Sequence, residues 1–264
     1  MTTLLTVKNL SFARTSRDNW WQKKKVFQLG PINFDINAGE TLAVIGDNGS
    51  GKTTLANLLV GVQPPTSGQI LLNGQRLRQR NLKQRSLNIR MIFQHSQESL
   101  NPAVTVGTIL DEPLKLNTDL DTKSRQDKIY STLRQVGLLR EHAYFYRHML
   151  SDGQRQRVAL ARALILNPQI IVADEPFAAL DPSVRSQMVN LFMQLQKDLG
   201  LSYVFISHNL GIVRHISDRV IVLQNGNIIE SGKTDVVFNW PKSDYMKKLI
   251  ASHQSFVESK LLED

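Results

Sequence analysis

Cysteine is absent from the 264 residues of this sequence. Its absence excludes a disulfide framework, an iron–sulfur cluster, a zinc site with thiolate ligands and a cysteine nucleophile. Long apolar runs are also missing, since no stretch approaches the roughly 20 residues that a membrane-spanning helix needs. The first residues lack the charged-then-apolar layout of a secretion signal. We therefore expect any role at a membrane to depend on a partner protein.

Acidic residues are in short supply: 23 Asp and Glu stand against 32 Lys and Arg, which gives a formal net charge of +9. A positive balance favours acidic partners such as nucleotides, nucleic acid or an anionic lipid surface. Basic residues cluster at residues 14–25, around Trp20 and Trp21, and again at residues 76–90. Either cluster fits a solvated surface loop, and the paired tryptophans also fit a contact with a membrane interface or a partner.

The stretch from residue 46 to residue 53 reads Gly-Asp-Asn-Gly-Ser-Gly-Lys-Thr and has the form G-x-x-x-x-G-K-[ST]. An apolar run at residues 41–45 predicts a strand before it, and residues 54–60 predict a helix after it. In that setting the motif cradles phosphate groups with backbone N–H groups and a helix N-terminus. We predict that Lys52 reaches the β- and γ-phosphates and that the Thr53 hydroxyl binds Mg²⁺. The predicted phosphate-binding residues are Gly46, Asn48, Gly49, Ser50, Gly51, Lys52, Thr53 and Thr54.

Two further predicted strands end in residues that suit phosphate chemistry. The apolar run at residues 170–173 is followed by Asp174 and Glu175. Asp174 is placed to bind Mg²⁺ through its water shell, and Glu175 to polarise an attacking water. Taken alone, this acidic pair also fits a helix cap. His208 follows the predicted strand at residues 203–206 and is placed to bridge a γ-phosphate to the catalytic acid.

The remaining pattern predicts an α/β fold. Strands are predicted at residues 5–10, 32–36 and 69–72, with a basic loop between the first two, and helices dominate from residue 105 to residue 166. Without a linker or a repeat, the sequence predicts one domain over residues 1–250, a helical subdomain at about 105–166 inserted in its core, and a short polar tail at 251–264. Ser151, ahead of a glycine and a predicted helix, marks another candidate anion site.

From residue 5 to residue 232 the chain resembles the ATP-binding cassette, the ATPase subunit of ABC transporters. The matching motifs are the Walker A loop at Gly46–Thr53, the Q-loop residue Gln94, the signature Leu150–Gln154, the Walker B end Asp174–Glu175, the D-loop Ala178–Asp181 and the switch residue His208. The resemblance implies a P-loop NTPase fold with a RecA-like parallel-sheet core, an antiparallel β subdomain and a helical subdomain. It also implies ATP and Mg²⁺ as cofactors, with Glu175 and His208 as the catalytic residues.

The family pattern implies a dimer in which two cassettes enclose two ATP molecules. Each ATP would lie between the Walker A loop of one subunit and the signature of the other, which here supplies Ser151, Gly153 and Gln154 in trans. Gln94 resembles the residue that contacts the γ-phosphate and Mg²⁺, so that Thr53, Gln94 and Asp174 form the implied metal set. Two residues remain open for stacking on adenine, namely Phe12 and Arg14, with Arg14 slightly favoured because a guanidinium plane can also cover a base.

Residues 99–102, 104–106 and 112–114 resemble the dipeptide and oligopeptide transporter ATPases, and residues 89–94 and 116–120 resemble the Sap-type peptide-transport subunits within that group. This likeness implies an ATP-hydrolysing subunit that powers transport of peptides, antimicrobial peptides or the polyamine putrescine. It would sit as a peripheral protein on the cytoplasmic face of the bacterial inner membrane. The implied partners are a second, non-identical ABC ATPase subunit, two transmembrane permease subunits and, in some systems of this kind, a periplasmic substrate-binding protein. The direction of transport, import or export, stays open.

Asp152 departs from the family signature, in which a glycine usually stands at that position. A carboxylate beside the γ-phosphate of a bound ATP is a like-charge contact unless it turns away or carries a proton. We therefore hypothesise that this signature is impaired while the chain's own Walker A loop is intact. A partnership with a non-identical cassette follows from that asymmetry.

Two functions other than transport fit parts of the sequence. A non-transport ABC ATPase acting on nucleic acid is compatible with the net charge, but the chain has neither the long coiled coil nor the second cassette of such relatives. A small P-loop kinase would not need the signature at residues 150–154. We therefore expect a transport ATPase without a nucleic-acid partner.

Overall fold

The computed structural model describes residues 2–19, 22–78, 81–94 and 99–261. Trp20, Trp21 and Arg80, which belong to the two basic clusters, lie outside the described residues. The strands are β1 Thr3–Asn19, β2 Gln22–Asn37, β3 Thr41–Ile45, β4 Ser67–Leu72, β5 Gln75–Arg76, β6 Ile89–Ile92, β7 Ile170–Asp174, β8 Ser202–Ile206, β9 Arg219–Gln224 and β10 Asn227–Lys233. The helices are α1 Lys52–Val60, α2 Leu82–Asn88, α3 Val106–Asn117, α4 Thr122–Gln135, α5 Asp152–Leu164, α6 Pro182–Leu199, α7 Leu210–Ile216, α8 Thr234–Asn239 and α9 Asp244–Leu261.

The chain divides into two compact units. The first contains Met1–Leu58, Val62–Leu77 and Val204–Asp264, and the second contains Leu59–Gly61 and Arg78–Tyr203. Strand β8 begins in the second unit and ends in the first, so the chain passes between them within one strand.

An antiparallel sheet in the order β2-β1-β4-β5 forms one part of the first unit. Leu5 and Val7 on β1 are buried, as the alternating apolar pattern predicts for a sheet with one covered face. The predicted strands at 5–10, 32–36 and 69–72 all lie within this sheet. The predicted basic loop between the first two is wrong, because the ladder continues until Asn19 stands opposite Gln22. The residues between the two predicted strands show no alternation of apolar and polar side chains, so there was no sign of a strand in the sequence. Backbone hydrogen bonds between two strands form without such a pattern.

Strand β3 is the part of the first unit that leads to the glycine loop. It pairs in parallel with β9, and all five of its residues are buried. A continuous apolar strand of this kind is typical of a sheet covered on both faces. Strands β9 and β10 form an antiparallel hairpin through Asn225 and Gly226, both with positive φ, as the Asn-Gly pair predicts.

The second unit combines the parallel pair β6 and β7 with helices α3 to α6. Side-chain caps from Thr105, Asp121 and Ser151 begin α3, α4 and α5, which lie in the segment predicted to be helical. Helix α6 starts with Pro182 in its first turn, where the missing N–H of proline removes no helical hydrogen bond. Strand β7 is buried at every residue and ends at Asp174.

Helix α9 occupies much of the segment for which the sequence predicts a polar tail, since it runs from Asp244 to Leu261. Met246 in its first turn is fully buried, which ties the start of the helix to the first unit. Among the helices of the described residues, none has the length and apolar character needed to cross a membrane.

Candidate functional site

The glycine loop connects β3 directly to α1, as predicted. Gly46 has φ +152°, and a Cβ at this position would lie 2.1 Å from the carbonyl oxygen of Leu223 on β9. Only glycine fits so close an approach of two backbones. A Cβ on Gly51 would lie 2.6 Å from Cδ1 of Leu29 on β2. The loop is therefore held tightly on both sides, and its shape depends on these glycines.

Lys52 begins α1 and is buried, with 8% of its surface exposed. Its Nζ donates to the carbonyl oxygen of Gly46 at 2.7 Å and to that of Asp47 at 2.8 Å. A buried ammonium group is stable only with such polar partners. Here the partners are carbonyl oxygens of the loop itself, so the charge lies where an anion bound in the loop would meet it.

Ser50 and Gly49 make the same loop receptive to an anion. Ser50 is 4% exposed, and its Oγ has no hydrogen-bond partner within the described part of the chain. Buried hydroxyl groups normally have a partner, so this one requires an explanation. A Cβ on Gly49 would meet no atom within 4 Å, which leaves open space at the loop. An unpartnered hydroxyl, open space and a helix N-terminus together suit a phosphate group.

Thr53 and Thr54 follow Lys52 in the first turn of α1, and Thr53 is exposed. The hydroxyl of Thr53 and the carboxylate of Asp174 are oxygen donors of the kind that Mg²⁺ prefers. Among the described residues, no group of three or more His, Cys, Asp or Glu could hold a metal ion. A magnesium ion at a nucleotide needs no such group, because phosphate oxygens and water fill most of its coordination shell. Thr53 in the first unit and Asp174 in the second are each of a residue type that suits Mg²⁺ bound together with a nucleotide.

Phe12 and Arg14 lie on β1 two residues apart, so their side chains share one face. Their partners on β2 are Leu29 for Phe12 and Phe27 for Arg14. Those two partners are also the two side chains that would lie nearest to a Cβ on Gly51. The structure therefore brings both adenine candidates to the strand pair that packs against the phosphate loop. Phe12 is half-buried and Arg14 is exposed, and both stay candidates.

His208 is exposed and lies in the first unit, two residues after β8 ends. The next residue, Asn209, caps α7 through its side chain, which accepts from the Ile212 N–H at 3.1 Å. The backbone at His208 is therefore confined between a buried strand and a capped helix.

The second unit holds Asp174 and Glu175 at the end of β7. Asp174 is 4% exposed, while Glu175 is half-buried and has φ +47°. A residue other than glycine in this left-handed region carries strain of about 1–3 kcal/mol, and such strain is concentrated at functional sites. Gln94 and Glu175 line one small pocket together with Gln156. The predicted Q-loop residue and the predicted catalytic acid therefore come together within this unit.

Gln156 is a residue that the sequence interpretation missed. It is 3% exposed, and its Nε2 donates to the carbonyl oxygen of Pro176 at 2.7 Å, which ties α5 to the loop after Glu175. Its place two residues beyond the signature is a weak signal for such a role. A polar side chain on the buried face of a helix is a clearer one.

The signature residues form the N-terminus of α5. The Gln154 N–H donates to Ser151 Oγ at 3.3 Å, and the Ser151 N–H donates to Gln154 Oε1 at 2.9 Å. This reciprocal capping box satisfies two backbone donors of the helix end. A Cβ on Gly153 would lie 3.0 Å from Cγ1 of Val184 on α6. Ser151, Gly153 and Gln154 are thus brought together in the second unit.

Asp152 has its carboxylate ion-paired with Arg155, one turn further along α5. The Asp152 side chain is 63% exposed and that of Arg155 is 26% exposed. Exposed pairs of this type contribute little to stability. The pair matters for charge at the signature, because the positive Arg155 lies next to the unusual carboxylate of Asp152.

Residues 29–178 match the ABC transporter family. Because the match covers more than half of the chain, the chain belongs to the ABC transporter family. The predicted fold class, a P-loop ATP-binding cassette, is thereby confirmed. The predicted activity, ATP hydrolysis coupled to transport, is confirmed as well.

The curated relatives are named as transport subunits. The chain is 47% identical over 251 residues to the putrescine export system ATP-binding protein SapF of Escherichia coli strain K12, covering 95% of this chain and 94% of that protein. It is 46% identical over 233 residues to the dipeptide transport ATP-binding protein DppF of the same organism, covering 87% of this chain and 70% of that protein. These names support the predicted likeness to the Sap and dipeptide groups, and they give no support to the nucleic-acid alternative.

Solved structures with a similar fold are ABC transporter components or ATP-binding cassettes as well. CbiO1 from Clostridium perfringens, part of the ABC transporter complex CbiONQ, has a TM-score of 0.78 at 29% identity, with 91% of this chain and 92% of that chain covered. The ATP-binding cassette MJ0796, in a dimeric post-hydrolysis state bound to ADP and Pi, has a TM-score of 0.75 at 28% identity, with 88% of this chain and 99% of that chain covered.

Proposed function

We propose that this chain binds and hydrolyses ATP to power an ABC transporter for peptides, antimicrobial peptides or putrescine. The observation that carries the proposal is the phosphate loop, where a buried lysine rests on loop carbonyl oxygens beside an unpartnered buried hydroxyl. The cargo classes come from the names of the relatives, which mention putrescine export, peptide transport and dipeptide transport.

The chain's own residues divide the work of hydrolysis. Lys52 would exchange the carbonyl oxygens of its loop for β- and γ-phosphate oxygens, and Thr53 with Asp174 and Gln94 would hold Mg²⁺. When bound, Mg²⁺ supplies positive charge that offsets the negative charge of the phosphates. Glu175 would orient a water molecule for attack on the γ-phosphorus and accept its proton, and His208 would donate to the γ-phosphate. A bond from the water oxygen to the γ-phosphorus forms, and the bond from that phosphorus to the β–γ bridging oxygen breaks with its electron pair staying on ADP, which is the leaving group.

A second cassette is part of the proposal. Ser151, Gly153 and Gln154 form a helix N-terminus that would complete the site of a partner subunit. The dimeric state of MJ0796 with ADP and Pi supports this arrangement by similarity. Because Asp152 adds a negative charge at this point, we infer that the partner is a non-identical homologue whose own signature completes the phosphate loop of this chain.

The permease would bind on the second unit, in a groove of about 460 Å³ between helix α3 and the segment at residues 99–104. This segment includes the Ser-Leu-Asn-Pro stretch that resembles the peptide transporter ATPases. Arg162 on α5 donates to Ser99 Oγ at 2.9 Å, and Glu112 and Lys115 give the rim both charges. We infer that each cassette receives one segment of a transmembrane subunit here, which places the chain peripherally on the cytoplasmic face of the inner membrane. A periplasmic substrate-binding protein would join the system if it imports.

The test is ATP hydrolysis by the assembled complex in proteoliposomes with Glu175→Gln in this chain. Loss of a positioned general base lowers turnover by about 10²–10⁴-fold, so we expect activity to fall by at least that lower figure. The control is Glu141→Gln, which removes the charge of an exposed glutamate in the second unit. Equal losses from Glu175→Gln here and from the matching change in the partner would contradict the asymmetry. Stimulation by dipeptides, by cationic antimicrobial peptides or by putrescine in the same vesicles would identify the cargo class, and stimulation by none of them would contradict the proposed cargo.

A further inference from the structure

The C-terminal segment contacts the phosphate loop directly. The hydroxyl oxygen of Tyr245, in the first turn of α9, accepts the backbone N–H of Asp47 at 2.7 Å. The two residues are 198 positions apart in the sequence, and both belong to the first unit. Asp47 is the second residue of the glycine loop, so the contact falls on the loop itself.

Glu230 on β10 fixes the place of Tyr245. Its carboxylate accepts the Lys242 N–H at 2.8 Å, the Ser243 N–H at 2.9 Å and the Ser243 hydroxyl at 2.6 Å. These donors lower the pKa of Glu230 although burial acts in the opposite direction. Ser243 Oγ accepts in turn from the Met246 N–H at 3.2 Å. The start of α9 is thus attached to the sheet strand by a charged group with several hydrogen bonds.

The hydroxyl of Tyr245 is suited to a permanent contact. Burial, followed by the neighbouring Asp47 carboxylate, raises the pKa of Tyr245 to about 12. The group therefore stays protonated at physiological pH, and it can accept from an amide while it keeps its own proton for an acceptor. A phenylalanine in its place would keep the ring and lose this contact.

The contact differs in kind from the bonds that Lys52 makes to the same part of the loop. An ammonium group has three N–H donors, so a lysine that meets both the β- and the γ-phosphate can keep at most one of the carbonyl oxygens of Gly46 and Asp47. The Asp47 amide is not one of the predicted phosphate-binding groups, so its bond to Tyr245 need not break when a nucleotide binds. The loop therefore has, at Asp47, a fixed point that nucleotide binding need not disturb.

We propose that Tyr245 is a positioning residue for nucleotide binding, acting through the Asp47 amide, and that the segment Pro241–Tyr245 is a strut from β10 to the phosphate loop. The proposal rests on the proposed function, because it assumes that the glycine loop binds ATP. Loop freedom in the unbound state lowers affinity, since the freedom must be lost on binding. Holding the loop in its binding shape beforehand removes part of that loss.

The experiment measures the dissociation constant for MgATP of the purified full chain, with Tyr245→Phe as the main variant. One hydrogen bond corresponds to roughly a three- to tenfold change in affinity, so we expect the constant to rise by that factor. Hydrogen exchange of the Asp47 amide should become faster in the same variant, while the melting temperature and the exchange of α6 amides stay as in the parent chain. A merely structural role would change melting and leave the Asp47 amide no more affected than its neighbours.

Two further variants complete the design. Tyr144→Phe removes a hydroxyl that lies 2.9 Å from the Tyr130 hydroxyl in the second unit, and it should leave the dissociation constant within twofold. Glu230→Gln keeps Tyr245 and weakens its anchor, so it should raise the constant by a smaller factor, and it serves as the main variant if Tyr245→Phe fails to fold.

Unchanged affinity in Tyr245→Phe, or an equal loss in Tyr144→Phe, would overturn the strut. Lys52→Ala separates this from failure of the proposed function. If Lys52→Ala abolishes MgATP binding and Tyr245→Phe does not weaken it, only the strut is wrong. If Lys52→Ala binds MgATP as the parent chain does, the loop is not the nucleotide site and both proposals fall.

Discussion

Two helix N-termini of this chain carry motifs of the ATP-binding cassette, and they are prepared in opposite ways. At α1 the phosphate loop leaves Ser50 Oγ without a partner among the described residues and places Lys52 on loop carbonyl oxygens. At α5 the signature satisfies its own backbone donors through Ser151 and Gln154 and adds a carboxylate at Asp152. The first end is prepared to receive an anion. The second is already capped, and it needs a change, or a partner, before it can contribute to one.

A helix N-terminus is therefore not by itself an anion site. Both ends have the same dipole and similar residue types, with a serine and a glycine at each. What separates them is whether the nearby side chains have already used the donors and filled the space. Substitutions of one group at a time test which of these differences decides whether a helix end binds an anion.

The largest effect is expected from Lys52→Ala. Hydrogen bonds to charged groups contribute about 1.5–3 kcal/mol each, so loss of a lysine that meets two phosphates should weaken MgATP binding by about 100-fold or more. Isothermal titration of the full chain measures it. Ser151→Ala is the matched change at α5, and it should leave MgATP affinity of the isolated chain within twofold while lowering the free energy of unfolding by about 1 kcal/mol. Equal effects of the two changes on affinity would erase the contrast.

Asp152→Gly should have the next largest effect, now in the assembled complex. Removing a carboxylate from the neighbourhood of a γ-phosphate relieves a like-charge contact, and we expect ATP hydrolysis at the site completed by this signature to rise about three- to tenfold. Arg155→Gln should lower it, because the carboxylate loses its ion-pair partner. Hydrolysis rates are measured with the other site inactivated by Glu175→Gln. A fall in activity in Asp152→Gly would show that the carboxylate serves the signature.

Ser50→Ala is expected to act with opposite signs in the free and the bound chain. A buried hydroxyl without a partner costs about 1–3 kcal/mol, so its removal should raise the free energy of unfolding without nucleotide by about 1 kcal/mol. The same change should weaken MgATP binding about three- to tenfold, because the hydroxyl would pair with a phosphate oxygen. Urea unfolding and titration give the two numbers. Losses in both would mean that the hydroxyl already has a partner in solution.

The smallest expected effect is a dependence of stability on acidic pH, caused by Glu230. Hydrogen bonds lower the pKa of Glu230 below its usual 4.5 in the folded chain, so its contribution to stability is present above that value and is lost as the pH falls through the lowered one. We expect Glu230→Gln to lower the free energy of unfolding by about 1 kcal/mol at pH 7 and to have no effect below the lowered pKa. Urea unfolding from pH 7 down to pH 3 tests this. A difference that stays constant with pH would mean that the Glu230 charge does not anchor α9.

The phosphate loop and the end of β7 could be predicted because their signals are local. A buried strand, a turn and a helix follow one another within residues 41–60. Because they are neighbours in the chain, the sequence is enough to predict that the glycine loop joins the strand to the helix. Asp174 was found in the same way, from an apolar run that ends in an acid. Gln94, Gln156 and Glu175, which line one pocket, lie further apart in sequence. The family resemblance implied the roles of Gln94 and Glu175, whereas Gln156 was not predicted.

Other features had no usable sequence signal. The contact of Tyr245 with Asp47 joins residues 198 positions apart, and a tyrosine on an amphipathic helix is more often a surface residue than a partner of a distant loop. The pairing of β1 with β2, which reaches Asn19 and Gln22, depends on backbone hydrogen bonds, and these leave no trace in residue type. The capping box of Ser151 and Gln154 has a recognisable sequence pattern, a serine followed three residues later by a glutamine. The same serine was interpreted only as a candidate anion site.

Hydrogen exchange of the isolated full chain, with and without saturating MgATP, tests whether the N-terminus of α1 binds phosphate groups and that of α5 does not. We predict slower exchange of the amides at residues 49–54 and unchanged exchange at residues 152–154, because the first helix end receives the phosphates and the second is capped. Protection at residues 152–154 in the isolated chain, or none at residues 49–54, would contradict it.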